Sequence, residues 1–310
     1  MIIIKKVNCI EFRNGSREEL FSNINHDFPY TASCAELDKY VGRFVPWHWH
    51  KEIEMFYIES GILEYYTPQG KVVFTKGSGG IVNSNVLHMT KPKSIIENNI
   101  QFLHIFDVGF LSGQEGSRID KKYFAPFINA TNIEIIPLFP DVKEHVPILN
   151  KIYNSFKISS NEFGYELNLR SAICDIWYEV LKLLNNLSNK EFYNNDITDK
   201  LKMMMIYIHE QYSQKISIKK IANSAYLSER ECFRMFNKYL KISPIQYLKK
   251  YRIEKACFML INTKETITNI SYECGFGSAS YFGKVFNEQM GCNPLEYRKT
   301  WQDNYIIKQK

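Results

Sequence analysis

Ile267-Thr-Asn-Ile-Ser-Tyr-Glu-Cys-Gly-Phe-Gly-Ser-Ala-Ser-Tyr-Phe-Gly-Lys-Val-Phe286, followed by Gly291-Cys-Asn-Pro294 and Tyr297-Arg298, decides the reading of this chain. Ile267, Ile270, Ser271 and Cys274 repeat at helical spacing, and Gly275 supplies the backbone freedom for a turn. Phe276 plugs the core, and Ser278 caps a second helix with Phe282, Val285 and Phe286 inward. The same grammar occurs upstream. Phe236, Asn237, Pro244 and Tyr247 recur as Phe286, Asn287, Pro294 and Tyr297, and Ser228 and Arg234 recur as Ser278 and Lys284. Ile218, Ile221 and Ala222 return one residue sooner, as Ile267, Ile270 and Ser271, so the second copy has one more residue in its turn. Two copies of a helix-turn-helix unit are expected, the first capped by Ser217 and Ser228. Tyr247–Ile261 forms a rigid helix between them.

Charge supports a polyanionic partner for this part. Residues 201–310 hold 18 Lys+Arg against 9 Asp+Glu, a net +9. Of the chain's 39 and 33, this leaves residues 1–200 with 21 and 24, a net −3. Outward positions on the first recognition helix are Glu229, Arg230, Phe233 and Arg234, and on the second Ala279, Ser280 and Lys284, with Gly283 truncating a reader. Arginine is the usual bidentate reader of guanine, and Phe233 suits a thymine methyl. The helix starts at Ser228 and Ser278, with Lys219, Lys220, Lys249 and Lys250, are placed to hold phosphates. A solvated charged face is the bland alternative for individual lysines.

With those residues in view, residues 200–300 resemble the C-terminal domain of AraC-type (AraC/XylS) transcription regulators, and Tyr251-Arg-Ile-Glu-Lys-Ala256 is similar to that family's connecting helix. The resemblance implies a homodimeric, ligand-responsive activator that binds double-stranded promoter DNA, works with RNA polymerase and most commonly senses a sugar. Activation of carbohydrate-utilisation genes is therefore expected by analogy.

The first half reads differently. Short aromatic and β-branched runs (Ile53–Ile58, Leu63–Tyr66, Val72–Thr75, Gly80–Val82, Ile100–Phe106) are separated by turn residues, which predicts a sandwich or small barrel. From about Pro140 the period becomes helical. Val146, Leu149, Ile152, Tyr153 and Phe156 form one stripe; Leu167, Ile173, Ile176, Trp177, Val180, Leu181 and Leu184 form another. The expected fold is α+β in two domains: a β-barrel over 1–137, a helical connector and dimerisation segment over 138–197, and an all-α DNA-binding domain with two helix-turn-helix units over 198–310. The run 185–199 reads as a linker.

Within the barrel, Gly42, His48, His50, Glu54 and Gly61 make the sharpest pattern. His48, His50 and Glu54 share strand parity, and His88 can join them after the Gly77–Gly80 turn. This resembles the first motif of the cupin barrels, with His88 in the place of the second motif's histidine and Ser84 where its proline is expected. His48, His50, Glu54 and His88 are candidate metal ligands, although no metal or other cofactor is assigned; with Tyr57 and Tyr65 they are the candidate effector-binding residues. Trp47 and Trp49 have the opposite parity, and His104 is expected to be structural.

No nucleophile–base pair, phosphate loop or dinucleotide fingerprint appears, so an enzyme is not expected. The rivals are a cupin metalloenzyme fused to a DNA-binding domain and a regulator of stress or virulence genes without a sugar effector. Seven scattered cysteines with no CxxC spacing, no long apolar run and no signal-peptide core point to the cytoplasm and away from membranes.

Overall fold

The computed structural model describes residues 5–7, 9–13, 17–21, 24, 27–94, 98–130, 133–187 and 196–299. They divide between two compact units, one drawn from Met1–Arg13 and Glu18–Asp196, the other from Asn14–Arg17 and Ile197–Lys310.

The first unit is built on strands β1 (Lys5–Val7), β2 (Tyr30–Glu36), β3 (Val45–His48), β4 (Ile53–Ser60), β5 (Ile62–Thr67), β6 (Gly70–Thr75), β7 (Gly79–Val82), β8 (His88–Pro92), β9 (Ile100–Phe106) and β10 (Ile135–Leu138). One sheet has the order β1-β2-β9-β4-β7-β10 and the other β3-β8-β5-β6. All pairings are antiparallel except β1 with β2. Alternation along β4 divides its side chains between two cores. Phe56 and Ile58 join Leu63, Tyr65, Phe74 and Leu103 between the sheets, while Met55 and Tyr57 face the other way.

That other face is covered by helices α1 (Gly109–Ser112), α2 (Ala125–Ile128), α3 (Val146–Ser155) and α4 (Tyr165–Leu187), whose Ile148, Leu149, Ile152, Leu169, Ile173, Ile176, Trp177 and Val180 share a core with the sheet. The helices expected to connect the two halves therefore pack on the sheet domain itself. In the second stripe Leu169 is buried where Leu167 was expected, and Leu167 is 78% exposed. Residues 188–195 of the expected linker lie outside the described residues. His104 is structural: Tyr30 Oη lies 2.6 Å from its Nδ1, Ser155 Oγ 2.8 Å from its Nε2, and Phe156 stacks on its ring at 3.7 Å.

The second unit is helical: α5 (Asp196–Gln211), α6 (Ile218–Ser224), α7 (Glu229–Met235), α8 (Pro244–Asn262), α9 (Ile267–Glu273) and α10 (Ala279–Met290). The repeat in sequence is a repeat in geometry. Ser217, Ser228, Thr266 and Ser278 each cap a helix by accepting a hydrogen bond from the backbone N–H three residues on, each cap contributing about 1 kcal/mol. Ser243 and Gln246 form a capping box at α8, and Asn293 and Glu296 exchange the same pair of bonds, both 2.9 Å, fifty residues later. In the turns, Leu227 N–H bonds Ala222 O at 3.0 Å and Phe276 N–H bonds Ser271 O at 2.9 Å. The extra residue of the second turn is Gly277, at φ 72°.

Candidate metal centre and nucleic-acid interface

Four of the expected residues converge. The ligand atoms of His48, His50, Glu54 and His88 all lie within 4.8 Å of one another, and all four residues are buried. His48 and His88 face each other across the β3–β8 ladder, whereas Glu54 belongs to the other sheet, so the group bridges the two sheets. The single continuous strand expected through these residues is interrupted: β3 ends at His48, and a bend at Lys51–Glu52 precedes β4. That bend, rather than strand parity, turns His50 inward.

Each imidazole is held in one orientation. Nδ1 lies 2.9 Å from Pro46 O in His48, 3.0 Å from Glu52 O in His50 and 2.9 Å from Val86 O in His88. A carbonyl can only accept, so each Nδ1 carries the proton and each Nε2 presents a lone pair. Nε2 of His50 and of His88 is buried without a hydrogen bond. They lie 3.5 and 3.6 Å from Glu54 Oε2, too far for good hydrogen bonds. Burial, then the neighbouring His88 and His50, holds His48 well below its usual pKa. Burial works to raise the Glu54 carboxyl, but His50 and His88 outweigh it and hold it below its usual value. Tautomers fixed through Nδ1, with lone pairs converging beside an ionised carboxylate, fit a divalent transition metal.

The two candidate tyrosines separate. Tyr65 Oη lies 3.1 Å from Glu54 Oε1 and 2.8 Å from Gln101 Oε1, and its ring stacks on Phe56 at 4.3 Å. It fixes one carboxylate oxygen and leaves the other turned to the histidines. Tyr57 points to the opposite face of β4 and packs on Tyr153 at 5.0 Å, away from the group. Glu19 was not expected at the site. Its Oε2 lies 3.4 Å from His48 Nε2, and burial chiefly raises its carboxyl to about 8. The pairing of residues 18 and 19 with Trp49 brings it there, and no local pattern encodes that pairing.

In the second unit, Ser228, Glu229, Arg230, Phe233 and Arg234 are exposed around the start and outer face of α7. Ser278, Ser280 and Lys284 are exposed at α10, with Ala279 half-buried. Arg230 is open to solvent, but Arg234 Nε donates to Glu231 at 2.7 Å. Lys250 is exposed on α8, whereas Lys249 is half-buried beside a cleft of about 510 Å³ that Tyr281 also lines. Tyr281, 42% exposed at the start of α10, is an additional outward group that the stripe of inward phenylalanines leaves unassigned.

Residues 221–300 match a family model described as a helix-turn-helix domain. Over 285 residues the chain is 27% identical to the uncharacterized HTH-type transcriptional regulator YdeC of Bacillus subtilis, covering 91% of this chain and 96% of that protein. Over 122 residues it is 30% identical to the HTH-type transcriptional activator RhaS of Enterobacter sp., covering 39% of this chain and 43% of RhaS. A crystal structure of an AraC-type regulator from Chromobacterium violaceum matches with a TM-score of 0.33 at 26% identity, over 34% of this chain and 95% of that one. The chain is similar to HTH-type transcription regulators, over nearly its whole length in YdeC and over 39% of it in RhaS. YdeC and RhaS are both named as transcription regulators, and neither is named as an enzyme. The family match begins at Ile221, inside α6, and takes in the rest of that helix and all of α7 to α10. Among the described residues no helix is long and apolar enough to cross a membrane.

Proposed function

We propose that this regulator reads promoter DNA with two helix-turn-helix units, α6–α7 and α9–α10, and that its first unit is a cupin-like barrel whose effector site takes a divalent transition-metal ion. The observation that carries the second part is the pair of buried Nε2 lone pairs of His50 and His88, left without hydrogen bonds while their Nδ1 atoms are anchored. An unmade hydrogen bond on a buried polar atom costs about 1–3 kcal/mol, and an ion would satisfy three imidazoles and Glu54 together. A carbohydrate effector, which the family resemblance implies, fits less well. Phe56, Tyr65 and Phe74 fill the interior beside the group with none of their surface exposed, and Tyr57 faces elsewhere.

On the DNA side, the matching caps and turns support two equivalent reading heads joined by α8. Two recognition helices on one chain reach successive major-groove segments when held ~34 Å apart. Arg230 and Ser280 serve as base readers, and Lys250 with the starts of α7 and α10 as phosphate contacts. Leu167 and Tyr178 are exposed on α4 about three turns apart, which supports pairing of two copies through that helix. A regulator of this kind works in the cytoplasm, recruiting RNA polymerase at the promoters it activates.

The test is fluorescence anisotropy with DNA upstream of the protein's own and neighbouring genes, against scrambled DNA, at fixed salt. Protein stripped by chelator is compared with protein reloaded with Zn(II), Mn(II), Fe(II) or Ni(II). Binding at least ~10³-fold tighter to the native DNA supports the DNA-reading claim, and a shift on reloading supports the metal effector. Equally weak binding to both DNAs overturns the first, and an unchanged affinity with a metal-free tetrad overturns the second.

A further inference from the structure

We propose that Glu19 is a fifth ligand of the metal centre, so that the segment containing it is fastened to the barrel through the ion. The inference rests on the metal reading of His48, His50, Glu54 and His88 and adds a residue that lies outside the cupin-like pattern.

The backbone places Glu19 at the site. Its N–H donates to Trp49 O at 2.9 Å, and it bridges antiparallel to Phe12, so the residue lies beside the chain that runs from His48 to His50. Glu19 Oε2 is 3.4 Å from His48 Nε2, while Glu54 Oε2 is 3.5 and 3.6 Å from Nε2 of His50 and His88. These separations are long for hydrogen bonds but suit neighbouring ligands of one ion. Donors ~2.1 Å from a metal lie ~3.0 Å apart at right angles and ~3.4 Å apart at the tetrahedral angle.

Charge gives a second, independent argument. Glu19 and Glu54 bring two carboxylates to one enclosed group of imidazoles, and Glu52 is also buried nearby. A divalent ion lets both carboxylates stay ionised away from water. With Glu54 alone a divalent ion would leave the centre at +1; with Glu19 the ion and its ligands are neutral, as a buried site requires. Phe12 and Phe21 flank the histidines, with ring centroids 6.5 Å from His48 and 5.3 Å from His50, and so help keep water from the centre.

The experiment titrates the full-length chain with Co(II), using chelator competition for affinity and the visible d–d band for coordination number, since four-coordinate Co(II) absorbs more strongly than five-coordinate. Wild type is compared with Glu19→Gln, Glu19→Asp and, as a control, the exposed Glu11→Gln. The expected result is one ion per wild-type chain, with affinity lowered at least ~10-fold and a stronger band in Glu19→Gln, partial recovery in Glu19→Asp, and no change in Glu11→Gln. If wild type and Glu19→Gln bind equally with identical spectra, the role of Glu19 is overturned and the four-residue centre stands. If wild type binds no ion, the metal reading itself fails and the role of Glu19 with it.

Discussion

Tyr226 and Gly275 occupy the same position in the two repeated helix pairs, and both turn the backbone into the left-handed region, at φ 56° and 76°. The two turns share their hydrogen bonds, to Asn223 O in one and Tyr272 O in the other. Their surroundings differ. Tyr226 is 90% exposed, whereas a Cβ on Gly275 would lie 2.7 Å from Tyr212 O and 2.8 Å from Ser213 O.

The two positions should therefore respond oppositely to exchange. Tyr226→Gly relieves a left-handed non-glycine residue, which costs about 1–2 kcal/mol, offset by glycine's greater freedom in the unfolded chain. Its melting temperature should equal or exceed that of wild type. Gly275→Ala must push away the Tyr212 and Ser213 carbonyls, just beyond the end of α5, as well as strain the backbone, a loss of about 1–3 kcal/mol. Differential scanning calorimetry checks both, and a Gly275→Ala protein as stable as wild type would remove the close-approach argument.

Tyr65 stands where its hydroxyl can orient Glu54. Tyr65→Phe keeps the stack on Phe56 and deletes the hydroxyl 3.1 Å from Glu54 Oε1. Affinity for Zn(II), measured by chelator competition, should fall roughly 10-fold with the stoichiometry unchanged. Glu54→Gln and His50→Ala should lower the stoichiometry itself. A Tyr65→Phe protein that binds as tightly as wild type would show that the carboxylate needs no such support.

The helix pairs were legible because their signals are local. Ser228, Ser278, Pro244, Pro294 and Gly275 each specify geometry within a few residues of themselves. The tetrad was legible in membership but not in mechanism, since parity selects His48, His50 and Glu54 although the chain changes sheets between them. Tyr57 should have been excluded on the same rule, being three residues from Glu54 on one strand and so on its other face. Glu19 could not be found, because its pairing with Trp49 joins segments thirty residues apart through backbone hydrogen bonds that carry no side-chain signature. The burial of Leu169 in place of Leu167 likewise depends on how α4 is rotated on the sheet, which a stripe of leucines at both positions does not settle.

Arg230 and Lys250 should separate base reading from phosphate contact. Arg230 is exposed near the start of α7, whereas Arg234 is held by Glu231. Arg230→Ala is expected to cost about 1–3 kcal/mol on the cognate site and to relax discrimination at one position. Lys250→Ala should weaken all DNA about equally and reduce the salt slope by about one. Anisotropy titrations over a salt series distinguish them, and equal effects from both would sink Arg230 as a reader.

His104 gives the first unit an acid-sensitive element separate from the metal centre. Burial between Tyr30, Ser155 and Phe156 lowers its pKa to about 3, against about 6.5 in the unfolded chain. The unfolded state therefore binds more protons between these values. Stability contributed by neutral His104 is complete above about pH 6.5 and is lost as pH falls towards about 3, by up to about 1.4 kcal/mol per pH unit. His48 and His209, also held low by burial, add to the wild-type slope. Urea unfolding of chelator-stripped protein, followed by the fluorescence of Trp47, Trp49 and Trp177, reads this slope. In His104→Gln the slope between pH 6 and 4 should fall by about one proton relative to wild type, even if the variant is less stable throughout. An identical slope in both proteins would mean that His104 does not remain neutral in the fold over this range.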